Sequence, residues 1–330
     1  MKIYIFSPGN VVTGGPEALH QLCDSVNKQQ LSNTKALMFY YSIDLNGLSV
    51  GSTSDIIKFE SSISYTKPEK YSVYEGEVCN SFVVEKDTVC VVPEVSPILA
   101  RSLSKVCKVV YWWLSVDNSF GPLNSISLTD LRSPRILHAC QSKYAEGVTK
   151  ALGFSNVIML SDYISHQLLM PFNEKRENRI LYNPTKQSMI TNNFIEQLGK
   201  YFTLYPLQGL SSDQLRHLFT TSKIYLDSGH HPGKDRMPRE AMLFGCISLI
   251  LQIGAGANDE DYRQHELFKI PVNDIYREDK NQEINMLIER IFNDFDAIFH
   301  LQDTARKNVV NEEMVFHKEV REMLIKINYL

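Results

Sequence analysis

Residues 223–252 read KIYLDSGHHPGKDRMPREAMLFGCISLILQ, and the fold follows from them. The run 223–227 has a strand's length and apolar content. Gly229, Pro232 and Gly233 punctuate a loop over 228–237. Pro238 is expected to open a helix, where its missing N–H costs nothing, and Gly245 to close it. The run 247–251 reads as the next buried strand. Strand, loop, helix and strand make a βαβ unit, and open α/β sheets bind ligands at the carboxyl ends of their strands. The loop and helix start hold His230, His231, Lys234, Asp235, Arg236, Arg239 and Glu240. Lys234, Arg236 and Arg239 beside a helix N-terminus suit a phosphate or diphosphate. Glu240, expected in the first turn, suits ribose hydroxyls. The same residues also fit a solvated loop before a capped helix.

These residues resemble the C-terminal-domain signature of GT-B glycosyltransferases, enzymes built from two facing Rossmann-like domains. Many retaining members carry a Glu, seven residues and a second Glu. PREAMLFGC matches the second half, with Glu240 at the ribose-binding glutamate. Pro232 stands where the first glutamate would be, a departure for which His231 and Asp235 are the substitutes at hand. GHHPGKDRMPREA resembles a subset of bacterial polysaccharide-assembly transferases, and the resemblance extends over nearly the whole chain.

A chain of 330 residues is long enough for two domains with separate cores. Hydrophobic residues make up 43% and charged residues 22%, an ordinary globular balance. A net charge of −4 argues against a general nucleic-acid binder. No apolar run approaches a membrane span, and with a strand pattern at the start of the sequence no signal peptide is expected. The cysteines form no CxxC pair, which reads as reduced core thiols of a cytoplasmic protein without a zinc site.

In the first half, 2–7 (KIYIFS) is a strand, and a loop over 8–16 leads into a helix ending near Lys28. Gly14 and Gly15 are expected just before that helix, where a backbone can approach an anion. GGPEALHQL resembles the glycine loop of GT-B N-terminal domains. Glu17 and His20 share a helix face, and Glu17 is the candidate general base or acceptor contact; compensation of the helix dipole is the other reading. Residues 42–76 look irregular and polar, a variable region facing the acceptor. The strand 106–115 (VCKVVYWWLS) ends in Trp112 and Trp113, followed by Ser115, Asp117 and Asn118. Aromatic faces suit sugars, so Trp113 and Asn118 are candidates for acceptor binding and Asp117 for an acceptor-binding or catalytic carboxylate. Adjacent strand residues point to opposite faces, so one tryptophan is expected in the core. His138 reads as a core histidine.

In the second half, Pro171 and the charged cluster 174–177 mark a linker. The strand from Arg179 ends at Asn183 and Lys186, where the resemblance implies contacts to donor phosphates. The loop after 202–207, with Gln208, would lie against the nucleotide base. SSDQ at 211–214 signals a helix start. The acidic loop 254–261 lacks Ca²⁺-loop spacing and reads as solvated. Helices are expected over 281–299 and 304–327.

The resemblance implies an α/β fold with an acceptor-side domain (1–168), a nucleotide-sugar-binding domain (178–308) and a C-terminal helix (309–330) packing back on the first. It implies transfer of a sugar from a nucleotide donor to a glycan or lipid-linked glycan in bacterial surface polysaccharide synthesis. Donor-side candidates are Gly14, Gly15, Asn183, Lys186, Gln208, His231, Lys234, Arg236, Arg239 and Glu240. No metal or cofactor is expected. UDP, GDP and CMP donors stay open, as does association with the inner membrane face or an assembly complex. A sugar-nucleotide epimerase of the same architecture and a non-catalytic nucleotide-sugar-binding component are the competing readings.

Overall fold

A computed structural model describes residues 1–31, 33–53, 56–165 and 175–330. The chain divides into two compact units, Met1–Asp162 with Met314–Leu330, and Tyr163–Glu313. Among the described residues no helix is long and apolar enough to cross a membrane. Pro171 and Glu174 of the expected linker lie outside the described residues.

The first unit runs β1 (Lys2–Pro8), α1 (Gly14–Lys28), β2 (Lys35–Tyr41), β3 (Leu48–Thr53), β4 (Ile56–Ser61), β5 (Glu77–Cys79) and β6 (Ser81–Val83). It continues with β7 (Thr88–Pro93), α2 (Pro97–Ser104), β8 (Lys108–Trp113), α3 (Phe120–Leu123), β9 (Ile136–Cys140), α4 (Lys143–Ala151) and β10 (Val157–Met159). Seven strands form one parallel sheet in the order β10-β9-β8-β7-β1-β2-β5. β7 and β9 are buried along their whole length, as strands covered on both faces must be. From β1 the chain builds outward first through β2 and later through β7. The gap between β1 and β7 is therefore the topological switch point, where such sheets receive ligands.

Two expectations change here. The stretch 42–76 is not irregular throughout: β3 and β4 pair antiparallel and, with β6, make a small second sheet. Phe82 of β6 stacks on Phe59 (5.2 Å between ring centroids) and on Tyr4 of β1 (4.0 Å). Such ring pairs are worth ~1 kcal/mol each beyond burial and fasten this sheet to the main core. Gly14 and Gly15 do not precede α1 but open it.

The second unit runs β11 (Glu177–Tyr182), α5 (Met189–Leu198), β12 (Leu204–Pro206), α6 (Ser212–Thr221), β13 (Ser222–Asp227), α7 (Arg236–Leu243), β14 (Ile247–Gln252) and β15 (Lys269–Pro271). Then come α8 (Glu278–Asn293), α9 (Phe295–Phe299) and α10 (Asp303–Val310). Its parallel sheet has the order β12-β11-β13-β14-β15, which puts the switch point between β11 and β13. Ser211 caps α6 with Gln214 in a capping box, as the SSDQ signal implies. The helix expected over 281–299 is broken at Asp294, whose ψ of 41° leaves the helical region.

The last helix, α11 (Glu312–Asn328), belongs to the first unit from Met314 onward. Phe316, Val320, Met323, Leu324 and Ile327 recur at helical spacing and are all buried. Phe316 stacks over Trp112, and Glu319 Oε2 accepts hydrogen bonds from the Ser161 N–H (2.7 Å) and hydroxyl (2.6 Å).

Candidate functional site

At the switch point of the second unit, the ends of β11 and β13 bring Lys186 beside Asp227. Gly229 makes the approach possible: a Cβ there would lie 2.4 Å from Lys186 Cβ and 3.0 Å from its carbonyl oxygen. The Lys186 ammonium pairs with Asp235 and stands 3.9 Å from Asp227. Burial opposes its charge, but Asp227 and Asp235 outweigh that and hold its pKa above the ordinary lysine value. Burial likewise opposes the charge on Asp235, yet its bonds to His231 and Lys186 lower its pKa. Asp227 accepts from the Tyr225 hydroxyl (3.1 Å) and the Gly229 N–H (3.3 Å).

His231 lies between the two carboxylates. Its Nδ1 is 3.0 Å from Asp235 and its Nε2 3.5 Å from Asp227. The ring is fully buried, so it cannot touch a donor sugar as the sequence suggests. The turn Gly254–Ala257 covers it: Ala255 N–H donates to the His231 carbonyl (2.9 Å). Gly254 adopts φ +58°, and a Cβ there would sit 2.2 Å from that oxygen. The start of the expected solvated loop is thus an ordered lid on His231. Tyr262 closes the other side, its hydroxyl accepting from the Asp235 N–H at 2.6 Å.

The helix start also departs from expectation. α7 opens at Arg236, two residues before Pro238, with Asp235 at the N-cap. Pro238 still falls in the first turn, where its missing N–H has no intrahelical partner. Glu240 moves to the second turn and pairs with Arg236 at 3.4 Å. Arg236 also donates to the Tyr163 carbonyl (3.0 Å).

Arg239 is 1% exposed, which removes it from the surface a phosphate could reach. Its Nε and Nη2 donate to the carbonyls of Asp235 (3.0 Å) and Lys234 (2.9 Å), and Nη1 to Glu312 (2.7 Å). The other Glu312 oxygen takes Lys234 Nζ at 2.6 Å. Arg239 therefore holds the shape of the loop. Asn183 is half-buried and caps the turn after β11 by accepting from Thr185 N–H (3.1 Å), while Gln208 is exposed beyond β12. Lys186, Lys234, Arg236 and Arg239 face Asp227, Asp235, Glu240 and Glu312, cation for carboxylate.

Asp227, His231 and Asp235 offer ligand atoms within 4.8 Å of one another, a spacing that could hold a metal ion. The Lys186 ammonium already supplies positive charge to both carboxylates.

The switch point of the first unit is built differently. Gly14 and Gly15 lie at the start of α1, and Glu17 follows, buried. Its carboxylate accepts from the Tyr74 hydroxyl (2.9 Å) and stands 3.6 Å from Lys70. That engagement fits a brace for the 65–75 segment better than a general base open to substrate. His20 Nδ1 donates to the Pro16 carbonyl (2.6 Å) while Nε2 accepts from Tyr40 (2.7 Å), and burial drives its pKa down to about 4.

Trp113 is fully buried, so the expectation of a sugar-stacking face is corrected. Its Nε1 donates to His138 Nδ1 (3.1 Å), and His138 Nε2 donates to the Leu131 carbonyl (3.0 Å). His138 is a satisfied core histidine with its pKa lowered by burial to about 4. Trp112 is buried as well, its Nε1 on the Leu160 carbonyl (2.8 Å). Asp117 and Asn118 sit in a 3-10 turn after β8 and are half-buried and exposed. Asp117 accepts from the Tyr144 hydroxyl at 2.8 Å.

The sequence reading missed Glu94, Gln141 and Asp162, buried polar groups just past the ends of β7, β9 and β10. Gln141 donates to Asp162 at 3.0 Å. It also missed Asp227, Tyr262 and Glu312. Asp227 had a signal, a carboxylate ending a buried strand; Glu312 had none, because its partners are more than 70 residues away.

No family model matches the chain, and no curated protein sequence does. Solved structures do. A sucrose-phosphate synthase from Thermosynechococcus elongatus superposes with a TM-score of 0.61 at 11% identity, over 99% of both chains. A TarM mutant from S. aureus, in complex with Fondaparinux, alpha-GlcNAc-glycerol and UDP, gives 0.61 at 8%, over 99% of both. The pneumococcal O-GlcNAc transferase GtfA, in complex with UDP and GlcNAc, gives 0.55 at 9%, over 100% of this chain and 99% of that one. At these identities the likeness is one of fold: this chain shares the GT-B architecture of these proteins.

Proposed function

We propose that the protein is a glycosyltransferase that moves a sugar from a nucleotide donor to a glycan or lipid-linked glycan in bacterial surface polysaccharide synthesis. One observation carries the reading: Lys186, Lys234 and Arg236 gather with the start of α7 around the carboxyl end of β13, at the switch point of a GT-B sheet. The second unit takes the donor and the first the acceptor. These cations stabilise charge developing on the leaving phosphate, an electrostatic task that this reading assigns to them without a metal. Arg239 acts behind them by fixing the carbonyls of Lys234 and Asp235. Several neighbours of this fold are described with UDP or UDP-glucose, which makes UDP the nucleotide to try first.

The engagement of these cations by carboxylates favours a second reading, a nucleotide-sugar-binding component without turnover. Donor phosphates would have to share or displace Asp235, Glu240 or Glu312. A thermal-shift series with UDP, GDP and CMP, followed by turnover with the matching sugar nucleotides, separates the two. A stabilising nucleotide at a hundred times its Kd adds ~2.7 kcal/mol. Stabilisation with transfer supports the enzyme, stabilisation without transfer supports the binding component, and no stabilisation by any nucleotide ends both.

A further inference from the structure

Glu94 is a buried carboxylate with no job in the proposed chemistry. It follows β7 at the switch point of the first unit and is 3% exposed. Among the described residues no lysine, arginine or histidine pairs with it. Burying a lone carboxylate is costly, so its partners must hold the charged form in place. They are backbone amides: Oε2 accepts from the Leu114 N–H and Oε1 from the Ser115 N–H, each at 3.1 Å. The rest of Glu94 is fixed too. Its own N–H donates to the Trp112 carbonyl (2.9 Å), and its carbonyl accepts from the Tyr111 hydroxyl (2.6 Å).

Two successive N–H groups aimed at one side chain need two acceptor oxygens. A glutamine offers one and turns an NH2 donor toward the other amide, so a carboxylate suits this position. The clamped residues are where the chain leaves β8 and turns into Val116–Ser119, which carries Asp117 and Asn118. Leu114 rests beside the first turn of α1, where a Cβ on Gly15 would meet Leu114 Cδ1 at 3.8 Å.

We propose that Glu94 is a positioning residue for the acceptor: it sets the backbone at Leu114 and Ser115 and thereby the placement of Asp117 and Asn118. The inference rests on the glycosyltransferase reading for its acceptor, while the clamp itself stands on geometry alone. A consequence concerns pH. Burial lifts the Glu94 pKa to about 7, against the pull of its own N–H and those of Leu114 and Ser115. The ionisable groups facing it are Tyr111 on β8 and Tyr41 on β2, both raised by burial and neutral in this range. Protonation puts a hydrogen on one acceptor oxygen and loosens the hold on its amide; the Ser115 N–H depends on Glu94, while the Leu114 N–H also donates to the Trp112 carbonyl (3.2 Å).

The test compares the full chain with Glu94→Gln and Glu94→Asp by amide hydrogen exchange at one pH near 8, together with steady-state kinetics. The Ser115 amide should exchange about tenfold faster in Glu94→Gln, as expected for losing a hydrogen bond to a charged acceptor, and the Leu114 amide, which also donates to the Trp112 carbonyl (3.2 Å), should gain less. Acceptor KM should rise about tenfold while donor KM stays within about twofold. Glu94→Asp, one methylene short, should fall between. Wild-type acceptor KM should rise as pH falls below about 7, and the Glu94→Gln profile should be flat. Unchanged exchange at both amides, or an equal rise in donor KM, overturns the proposal. A wild-type chain that turns over no donor would defeat the glycosyltransferase reading, and the exchange data would still decide the clamp. If Glu94→Gln does not fold, Glu94→Asp and the pH dependence of wild-type KM decide it.

Discussion

The two parallel sheets present different electrostatics at equivalent places. At the switch point of the second unit, among the described residues, four cations and four carboxylates interlock around Asp227 and Glu312. At that of the first unit, the buried Glu94 is held by backbone amides and the buried Glu17 by the Tyr74 hydroxyl with Lys70 3.6 Å away, beside the neutral His20. Similar topology thus supports one edge crowded with interlocked charges and one where fewer carboxylates rest chiefly on backbone amides and hydroxyls. The difference matches the division of labour proposed above, a phosphate-bearing donor on one side and a hydroxyl-rich acceptor on the other.

The largest effect that would break this comparison is loss of the buried pair. Glu312→Ala leaves Arg239 and Lys234 without their shared carboxylate and should cost ~3–5 kcal/mol of second-unit stability. Both tryptophans lie in the first unit, so circular dichroism should show the drop at a denaturant concentration where tryptophan fluorescence is unchanged. A shift below ~1 kcal/mol would mean the pair is a loose surface contact.

Acidification should strike the first unit next. His20 and His138 have folded pKa values near 4, lowered by burial from 6.5. Their neutral rings contribute stability that is complete above about 6.5 and lost as pH falls through about 4, ~3 kcal/mol each. Glu94 works the other way, because its raised pKa relieves strain as pH falls from about 7 toward 4.5. Two histidines outweigh one glutamate, so the fluorescence-detected urea midpoint should be lower at pH 4 than at pH 7.5. An unchanged midpoint would show that these rings are not held neutral.

Lys186→Ala sharpens the contrast at the other edge. Donor affinity should fall about 10–100-fold by calorimetry, the loss of one charged contact. The variant should also bind Mn²⁺ more tightly than the wild type: Asp227, His231 and Asp235 without their ammonium should take the ion, raising the variant's Tm more than the wild type's. Equal Mn²⁺ responses would show that Lys186 does not substitute for a cation.

The smallest effect is expected at Tyr144→Phe, which removes the hydroxyl on Asp117. Stability should change by ~1 kcal/mol or less. A rise in acceptor KM without a change in donor KM would place Asp117 on the acceptor side; no change in either would remove it.

Much of this was legible in order along the chain. The apolar runs of β1, β7, β9, β13 and β14 declare buried parallel strands, and the glycines and prolines between them mark the turns. Those signals are local, because a strand's burial and a turn's φ are set by the residues that form them. The cation-rich loop was legible for the same reason. Which of its charges face outward was not. Arg236 and Arg239 look alike in sequence, yet one lies near the helix start and the other is sealed against Glu312, a residue that only tertiary folding brings near. Trp113 and His231 likewise read as binding groups and became core, since a side chain's exposure depends on what packs over it from distant segments. The sequence by itself determined the paired α/β architecture and the chemistry available to it. The tertiary structure alone decided which ions neutralise one another, because pairing energies fall with distance and distance is a property of the folded chain.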